Sequence, residues 1–353
     1  MMSETGSALI DITEAIYDVE SETDAWMQNL LEAGLPLLND GLGVAAVAVT
    51  GRPSGGPIRI HERLSLAGLP DFWGNLDRVV AEWPPAACAE FMRPGVVMTI
   101  SERAKNYPGL LESYCHHIPG CHDCFGLTAM DLDGRAMLLL APLRRETRIA
   151  PRHRALWSMV NAHLEAGYRL RRAATEGAAD LDRPQHAEAV FDPNGFKLSH
   201  ATGSAKTDDT GRALRQAAIR IDRSRGTLRR KDPAAALEAW TCLADGRWSM
   251  VDWFDTDGRR FVLALPNAPE VSDPRQLNPR ERVVAAYVAQ GDSVKMVGYR
   301  LGLSKSAASR AVRGLIKKLG VKTQAQLVAQ LRALAASADA SSQRDGRSDD
   351  LES

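Results

Sequence analysis

The segment YCHHIPGCHDCFG, residues 114–126, holds seven side chains with metal-binding or nucleophilic chemistry within ten positions. Cysteine thiolates and histidine imidazoles bind zinc, iron and iron–sulfur clusters, and the spacing of Cys121 and Cys124 is typical of tetrahedral sites. The same pair can instead cycle between a dithiol and a disulfide. A third interpretation is a loop whose cysteines are small buried hydrophobic residues and whose histidines face water.

The spacing favours the third interpretation. A structural zinc site usually takes two ligand pairs from separated parts of the chain, whereas all of these residues lie in one short loop. The sequence therefore does not firmly imply any cofactor. If a metal is bound, the expected ligands are Cys115, His117, Cys121 and Cys124.

A nucleophilic enzyme is a further class to weigh, because Cys121 and Cys124 lie beside histidines. Nucleophilic catalysis needs a base that a third group orients, together with donors for the developing oxyanion. Neither can be placed in this sequence. We therefore expect no enzymatic activity.

The pattern of residues 1–175, which contain this loop, predicts a domain of the α+β class. Apolar residues recur at helical spacing after Ser21 and Thr23, either of which can cap the helix, and again over 151–172. Apolar runs on both sides of Asp133-Gly134 predict a β-hairpin. The order of helices and strands resembles that of GAF-type ligand-sensing domains, which implies a sensor.

The rest of the chain divides by composition. Residues 176–187 are small, polar and without periodicity, which predicts a linker. Residues 188–268 predict a smaller α+β domain, in which two hairpins flank two helices, and this pattern resembles a PAS domain. Residues 336–353 are polar and predict a disordered tail.

The charge distribution singles out the region from Arg275 to Leu334. This region holds twelve Lys and Arg residues against Glu281 and Asp292, a net charge of +10. The whole chain has 44 basic and 44 acidic residues, so the remainder carries −10. A basic patch on an otherwise acidic protein indicates nucleic-acid binding.

Four short amphipathic helices are predicted in this region, which we assign to a domain spanning 274–335. Asn278 is a favourable N-cap with Pro279 after it, and Gly291 and Gly302 end the first two helices. In the third helix, apolar residues line one face and a basic polar stripe lines the other. The stripe comprises Lys305, Ser306, Ser309, Arg310, Arg313 and Lys317. Two helices joined by a tight turn, the second with such a stripe, are typical of a helix-turn-helix.

These residues resemble a known family. The segments LNPRERVV, GDSVKMVGYRLGLS and KKLGVKTQAQL are similar, in order and spacing, to the LuxR-type (GerE-like) DNA-binding domain. The resemblance implies that Lys295 contacts backbone phosphate and that Leu327, Val328 and Leu331 help the domain dimerise. The chain departs from the family pattern at Ala307-Ala308, Ala311 and Gln324.

The sequence as a whole therefore predicts a multidomain protein: a GAF-like and then a PAS-like α+β region, followed by an all-α four-helix LuxR-type domain. The expected function is that of a transcriptional regulator, in which sensor domains control a helix-turn-helix that reads the major groove as a homodimer. Double-stranded DNA is the expected partner, RNA polymerase is a further candidate, and the effector is an unknown small molecule or redox signal. A protein-binding adaptor, or a metal or thiol redox sensor acting through the same helices, is the alternative.

Composition agrees with a cytoplasmic protein. A signal peptide has a basic segment ahead of an apolar run, and the N-terminus of this sequence has no such segment. The apolar run at residues 41–49 is about half as long as a membrane-spanning helix. Five cysteines, an odd number, argue against a disulfide framework. We therefore expect no membrane partner.

Overall fold

A computed structural model describes residues 2–51, 58–92, 95–130, 134–175, 184–192, 194–244, 248–266, 277, 279–319 and 321–332. The chain divides into two compact units. The first comprises Met1–Cys242 and Met250–Leu265, and the second comprises Leu243–Ser249 and Pro266–Ser353.

The first unit begins with an α+β layer. In chain order its elements are α1 (Met2–Ile16), α2 (Thr23–Leu38), β1 (Val44–Thr50), β2 (Arg59–Leu66), α3 (Phe72–Glu82), α4 (Pro85–Phe91), β3 (Val96–Thr99), α5 (Ile100–Ala104), α6 (Leu110–His117), β4 (Asp123–Met130), β5 (Arg135–Leu143) and α7 (Pro151–Thr175).

The five strands form one antiparallel sheet in the order β2-β1-β5-β4-β3. Strands β4 and β5 form the predicted hairpin, in register from Asp123↔Leu143 to Met130↔Ala136. Because side chains alternate along a strand, successive residues of β4 point to opposite faces of the sheet. Phe125 packs against Trp157 of α7, with ring centroids 5.3 Å apart, so α7 covers one face. Helices α3, α4 and α6 lie over the other face.

Helix α7 is buried on both sides. It contacts β3, β4 and β5 on one side and helices of the same unit on the other. From Met159 to Gly167 every residue is buried, including the polar residues Asn161, His163 and Glu165. The Tyr17 hydroxyl of α1 lies 2.9 Å from Nδ1 of His163, which provides the buried imidazole with a hydrogen-bond partner.

The first unit continues through a second sheet. Its elements are β6 (Ala189–Asp192), β7 (Lys197–Ala201), α8 (Asp208–Arg225), α9 (Thr227–Lys231), α10 (Pro233–Ala239), β8 (Trp248–Phe254) and β9 (Arg260–Pro266). The strand order is β7-β6-β9-β8. Helix α10 packs on both α1 and α7, and Trp240, which follows α10, stacks on Tyr17 with ring centroids 5.9 Å apart.

The second unit is helical. Its helices are α11 (Pro279–Gln290), α12 (Val294–Leu301), α13 (Lys305–Lys318) and α14 (residues 324–332). One core joins them, and its members come from every helix: Val284, Val288, Val297, Leu301, Val312, Leu315 and Leu327. Leu243, which belongs to this unit, lies in the same core and donates its backbone N–H to the carbonyl of Arg300 at 2.8 Å.

The predicted fold class is confirmed at the level of an α+β region with two antiparallel sheets followed by a helical domain. The GAF-like and PAS-like assignments stay predictions, as do the proposed domain limits. Residues 176–183 of the predicted linker, the predicted cap Asn278 and the tail 336–353 lie outside the described residues. Strands β1 to β7 and most residues of β8 and β9 fall in the first unit, so the boundary between the two units does not coincide with that linker.

The expected cap of α2 was wrong. Glu22 occupies the N-cap position, and its side chain makes no capping bond. Ser21 instead donates its hydroxyl to Asp18 at 2.5 Å, which closes the turn between α1 and α2. Strand β3 and helices α1, α4, α5, α6 and α9 were not predicted.

Two buried tyrosines provide a test of the packing around α7. Tyr17 is bonded to His163, whereas the Tyr114 hydroxyl is buried and makes no hydrogen bond of ordinary geometry within the described ranges. Tyr17→Phe leaves the buried imidazole nitrogen without that partner, so we expect a loss of about 1–3 kcal/mol in the free energy of unfolding. Tyr114→Phe removes a hydroxyl that has no such bond and is the matched control, with a change near zero or stabilising. Urea titration followed by circular dichroism measures both, and equal losses would contradict the assignment.

Candidate nucleic-acid interface and apolar cavity

The four predicted metal ligands do not form a ligand set. Within the described ranges, no three His, Cys, Asp or Glu side chains are arranged to hold a metal ion. His117 is engaged elsewhere, because its Nε2 lies 2.7 Å from Oε1 of Glu82. Cys115 lies on α6, Cys121 in the turn that follows it, and Cys124 on β4. The prediction of Cys115, His117, Cys121 and Cys124 as ligands is therefore corrected: residues close in sequence belong to different elements and are not gathered around one point.

The thiols of this loop are also poorly suited to redox or nucleophilic chemistry. Burial raises the pKa of Cys121 to about 11 and that of Cys124 to about 12. The thiolate is the nucleophile and the metal ligand, so both groups are inactive protonated thiols at neutral pH. The interpretation as small buried hydrophobic residues fits these two cysteines, and His116 and His122 are exposed as it expected.

The residue that organises this loop is Asp123, which is fully buried. Its carboxylate accepts hydrogen bonds from the Ser101 backbone N–H at 3.0 Å and hydroxyl at 2.6 Å. It also accepts from the backbone N–H groups of Cys124 at 2.8 Å and Thr147 at 2.9 Å. One carboxylate thus fastens the start of α5, the start of β4 and the segment after β5. The loop is a structural junction of the sheet.

The helix-turn-helix is built by local signals that the sequence carries. Ser293 and Ser304 are the N-caps of α12 and α13, and each side chain accepts from the backbone N–H three residues on, at 3.2 Å. Gly302 ends α12 in the left-handed conformation, with φ of 65°. A Cβ on Gly298 would lie 3.1 Å from the Leu303 carbonyl and 3.4 Å from Cβ of Ala308. Glycine at 298 therefore allows α12 and α13 to pack closely.

The basic stripe of α13 faces solvent. Lys305, Ser306, Arg310, Arg313 and Lys317 are exposed and Ser309 is half-buried, while Ala308, Val312 and Leu315 on the opposite face are buried. Among the described residues, no carboxylate pairs with any of the four basic side chains. Exposed guanidinium and ammonium groups on one face of a helix are able to meet phosphates and base edges.

The two acidic residues of the region are neutralised away from that face. Asp292 pairs with Arg300, Oδ2 to Nε 2.6 Å, and Arg300 is almost wholly buried with its guanidinium over the Tyr287 ring. Burial raises the pKa of Asp292, an effect that Arg300 opposes. Glu281 pairs with Lys318 at 2.8 Å. Arg300 and Lys318 therefore stabilise the domain, and α13 keeps its charge.

The remaining predicted contacts lie at the ends of this unit. Lys295 is exposed in the first turn of α12. In α14, Leu327 and Leu331 are buried in the domain's own core and Val328 is half-buried against it. Gln324, where the family usually has arginine, directs its amide toward the Asp292 carbonyl at 3.4 Å. This contact joins α14 to the turn after α11.

A second candidate site is a cavity in the first unit. It measures about 470 Å³ and lies between α3, α4 and α6 and the sheet face opposite α7. Phe72, Trp73 and Leu76 of α3 line one wall, and Cys124, Gly126 and Thr128 of β4 line another. An apolar pocket with a few polar groups is the usual form of a small-molecule site.

Two polar groups in this cavity are buried without ordinary partners. The Trp83 indole N–H and the Tyr114 hydroxyl make no hydrogen bond of normal geometry in the part of the chain that the structure describes. The Tyr114 hydroxyl has the thiols of Cys121 and Cys124 as polar neighbours, and thiols are weak partners. Sequence reasoning missed this cavity, since its lining comes from many elements and no local pattern marks it.

Comparison with known proteins assigns the helical unit. Residues 275–331 match the GerE family, described as bacterial regulatory proteins of the luxR family. The predicted LuxR-type resemblance is therefore confirmed for this segment, which forms a luxR-family domain. The match covers less than a fifth of the chain. No curated protein matches the chain.

Among solved structures, one of SdiA in complex with octanoyl-rac-glycerol is 10% identical, covers 94% of this chain and 95% of that chain, and has a TM-score of 0.33. A crystal structure of Escherichia coli SdiA is 11% identical, with coverages of 90% and 92% and a TM-score of 0.27. Scores this low carry no argument about this chain. Across the described residues, no helix combines the length and apolar character needed to cross a membrane.

The pKa values of the loop cysteines predict slow alkylation of the native protein. At pH 7.5 on the order of 1 in 3,000 Cys121 side chains is a thiolate, and burial limits access further. Iodoacetamide followed by peptide mass spectrometry should label Cys121 and Cys124 at least tenfold more slowly in native protein than in urea. Half-buried Cys88 is the internal comparison. Native labelling of Cys121 or Cys124 as fast as in urea would contradict the assignment and restore the thiol-sensor alternative.

Proposed function

We propose that this protein is a DNA-binding transcriptional regulator whose N-terminal sensor region controls the C-terminal helix-turn-helix. The observation that carries the proposal is the exposed basic stripe of α13 within a luxR-family domain, whose four basic side chains pair with no carboxylate among the described residues. A stripe of four basic side chains on the second helix of a helix-turn-helix is suited to the major groove of duplex DNA.

Each stripe residue has a role in the proposed complex. Arg310 and Arg313 reach the edges of guanines, since arginine pairs with the two acceptors of that base. Lys305, Ser306, Ser309 and Lys317 contact nearby bases or phosphates. Lys295, in the first turn of α12, contacts backbone phosphate, where the helix N-terminus also favours a negative charge.

The proposed regulator acts as a homodimer on two half-sites about one helical turn apart. Dimerisation through α14 would use Val328 and the exposed residues beside it, because Leu327 and Leu331 are already engaged in the core of one subunit. They would support the interface by holding α14 in place. RNA polymerase is a candidate partner on DNA.

The sensor region, with its GAF-like part at 1–175 and PAS-like part at 188–268, is proposed to take a small-molecule effector in the apolar cavity. A cavity of about 470 Å³ and two buried groups without ordinary partners support this role. The raised pKa values of Cys121 and Cys124 disfavour the redox alternative. A protein-binding adaptor remains the competing function, and duplex binding discriminates the two.

Alanine substitution at Arg310 or Arg313 tests base reading. For the side chain that pairs with guanine, we expect a loss of about 1–3 kcal/mol at the specific site, which is roughly 5- to 150-fold in affinity. Lys105→Ala is the matched control, because Lys105 is exposed and lies in the first unit. Sites selected from random duplexes and fluorescence anisotropy provide the measurement. Unchanged affinity in both arginine variants, with a folded domain, would contradict the assigned reading helix.

The salt dependence of duplex binding tests the electrostatic part separately. If Lys295, Lys305 and Lys317 each neutralise one phosphate, log Kd rises with log salt with a slope of about 3 per subunit. Lys317→Ala should lower the slope by about 1, and Lys105→Ala should leave it unchanged. A preparation without salt-sensitive duplex binding would favour the adaptor function.

A further inference from the structure

The cavity has its charge at one place, beside its mouth. Among the described residues that line it, Arg63 of β2 and Asp77 of α3 are the only charged ones. The two form a bidentate pair, with Nη1–Oδ2 at 2.9 Å and Nη2–Oδ1 at 2.8 Å. The Arg63 guanidinium also lies 5.4 Å from the centroid of the Trp73 ring. This pair joins the sheet to the helix that forms one cavity wall.

The mouth also exposes apolar surface. Ile60 and Val80 line the cavity and are 44% and 40% exposed, although both are large hydrophobic residues. Ile60 lies on the strand of Arg63, and Val80 lies one turn after Asp77 on α3. The charged pair is therefore bordered by apolar side chains that an occupant of the cavity would cover. The ligand class should combine an apolar body with one charged group.

The sign of that charge follows from the exposure of the two partners. The Arg63 side chain is 27% exposed and the Asp77 side chain is 54% exposed. A ligand carboxylate that replaces Asp77 leaves that residue in contact with water, which solvates it at little cost. A ligand ammonium that takes Asp77 would leave the more buried Arg63 without its carboxylate, which is unfavourable. A ligand carboxylate that replaces Asp77 on Arg63 is therefore favoured over a ligand ammonium that replaces Arg63 on Asp77. The Arg63–Asp77 pair that must break contributes only about 0–1 kcal/mol, as exposed ion pairs do.

The interior supports the same orientation. The cavity wall is apolar apart from groups such as the Trp83 N–H and the Tyr114 hydroxyl, which can donate to an oxygen but cannot compensate a buried charge. A carboxylate is thus stable at the mouth, on Arg63, and the apolar body lies inside. The guanidinium of Arg63 would donate two parallel hydrogen bonds to the ligand carboxylate, as it does to Asp77.

We propose that the cavity binds an amphipathic monocarboxylate, whose carboxylate replaces Asp77 on Arg63 and whose apolar body fills the space between the sheet and α3. The inference rests on the proposed sensory role of the cavity. Binding separates Asp77 from Arg63, so the tie between α3 and β2 is lost when the ligand enters. Ligand binding in the cavity would thereby change how α3 is held against the sheet.

Binding of three ten-carbon probes to the full-length protein tests the inference. Decanoate, methyl decanoate and decylammonium are compared below their micelle concentrations by calorimetry and by intrinsic tryptophan fluorescence, to which Trp73 and Trp83 of the cavity lining contribute. We expect decanoate to bind at least tenfold more tightly than either of the others. Arg63→Gln should weaken decanoate at least tenfold and leave methyl decanoate within about threefold. Arg59→Gln, on the same strand and outside the cavity lining, is the matched control.

Asp77→Asn provides the second, opposite readout. It removes the competing carboxylate and keeps the size of the side chain, so decanoate affinity should rise by roughly three- to tenfold while methyl decanoate is unchanged. Equal binding of decanoate and its ester, tightest binding of decylammonium, or no binding of any probe would overturn the inference. So would Asp77→Asn without effect on decanoate. Duplex binding by the same preparation, measured with and without decanoate, tests the regulator proposal independently, because its readout is DNA affinity and not occupancy of the cavity.

Discussion

The burial of α7 on both sides is the constraint on which the first unit depends. A five-stranded sheet with apolar side chains on both faces must be buried on each face. Helix α7 buries one of them through contacts such as that of Phe125 with Trp157. The outer side of α7 then has to be buried as well, and α1 and α10 pack there. Polar residues of that side, such as His163, must find partners inside the protein, as His163 does in Tyr17. The N-terminal helix and the helix before the last hairpin thus complete the burial of α7.

The second face of the sheet is covered differently. Three separate helices, α3, α4 and α6, lie over it, and two of them have eleven and seven residues. Side chains from short helices leave space that one long helix fills, and the cavity is the result. Such a space lowers stability, since its lining makes fewer packing contacts and, among the described residues, nothing accepts a hydrogen bond from the Trp83 N–H. The Arg63–Asp77 ion pair and the Glu82–His117 hydrogen bond fasten this wall. The carboxylate of each pair is in contact with water, so these contacts oppose a rearrangement of the wall only weakly.

What the sequence predicted well is what local chemistry determines. Ser304 caps α13, Gly302 ends α12, and Gly134, with φ of 78°, lies at the turn of the hairpin, because each signal acts within about four residues of its position. What it missed depends on residues far apart in the chain. The partner of Tyr17 is 146 residues away, at His163, and neither residue type signals the pairing. The metal prediction failed for the same reason: spacing along the chain says nothing about direction, and Cys124 points from a strand into the cavity while His117 turns from a helix toward Glu82.

The charge of the helical unit shows why net charge and binding surface are different quantities. Counting charged residues gives a net charge of +10 for the region. The count treats every basic side chain as equally available to DNA. Arg300 is buried on Asp292 and over Tyr287, so its charge orders the turn between α11 and α12 and is unavailable to a phosphate. Lys318, the last residue of α13, pairs with Glu281 of α11 and is not part of the stripe. The two acidic residues therefore pair with two basic groups that lie outside the stripe. Because the neutralisation is local, the field of the domain is concentrated on α13, and the same pairs that stabilise the fold also select which surface meets DNA.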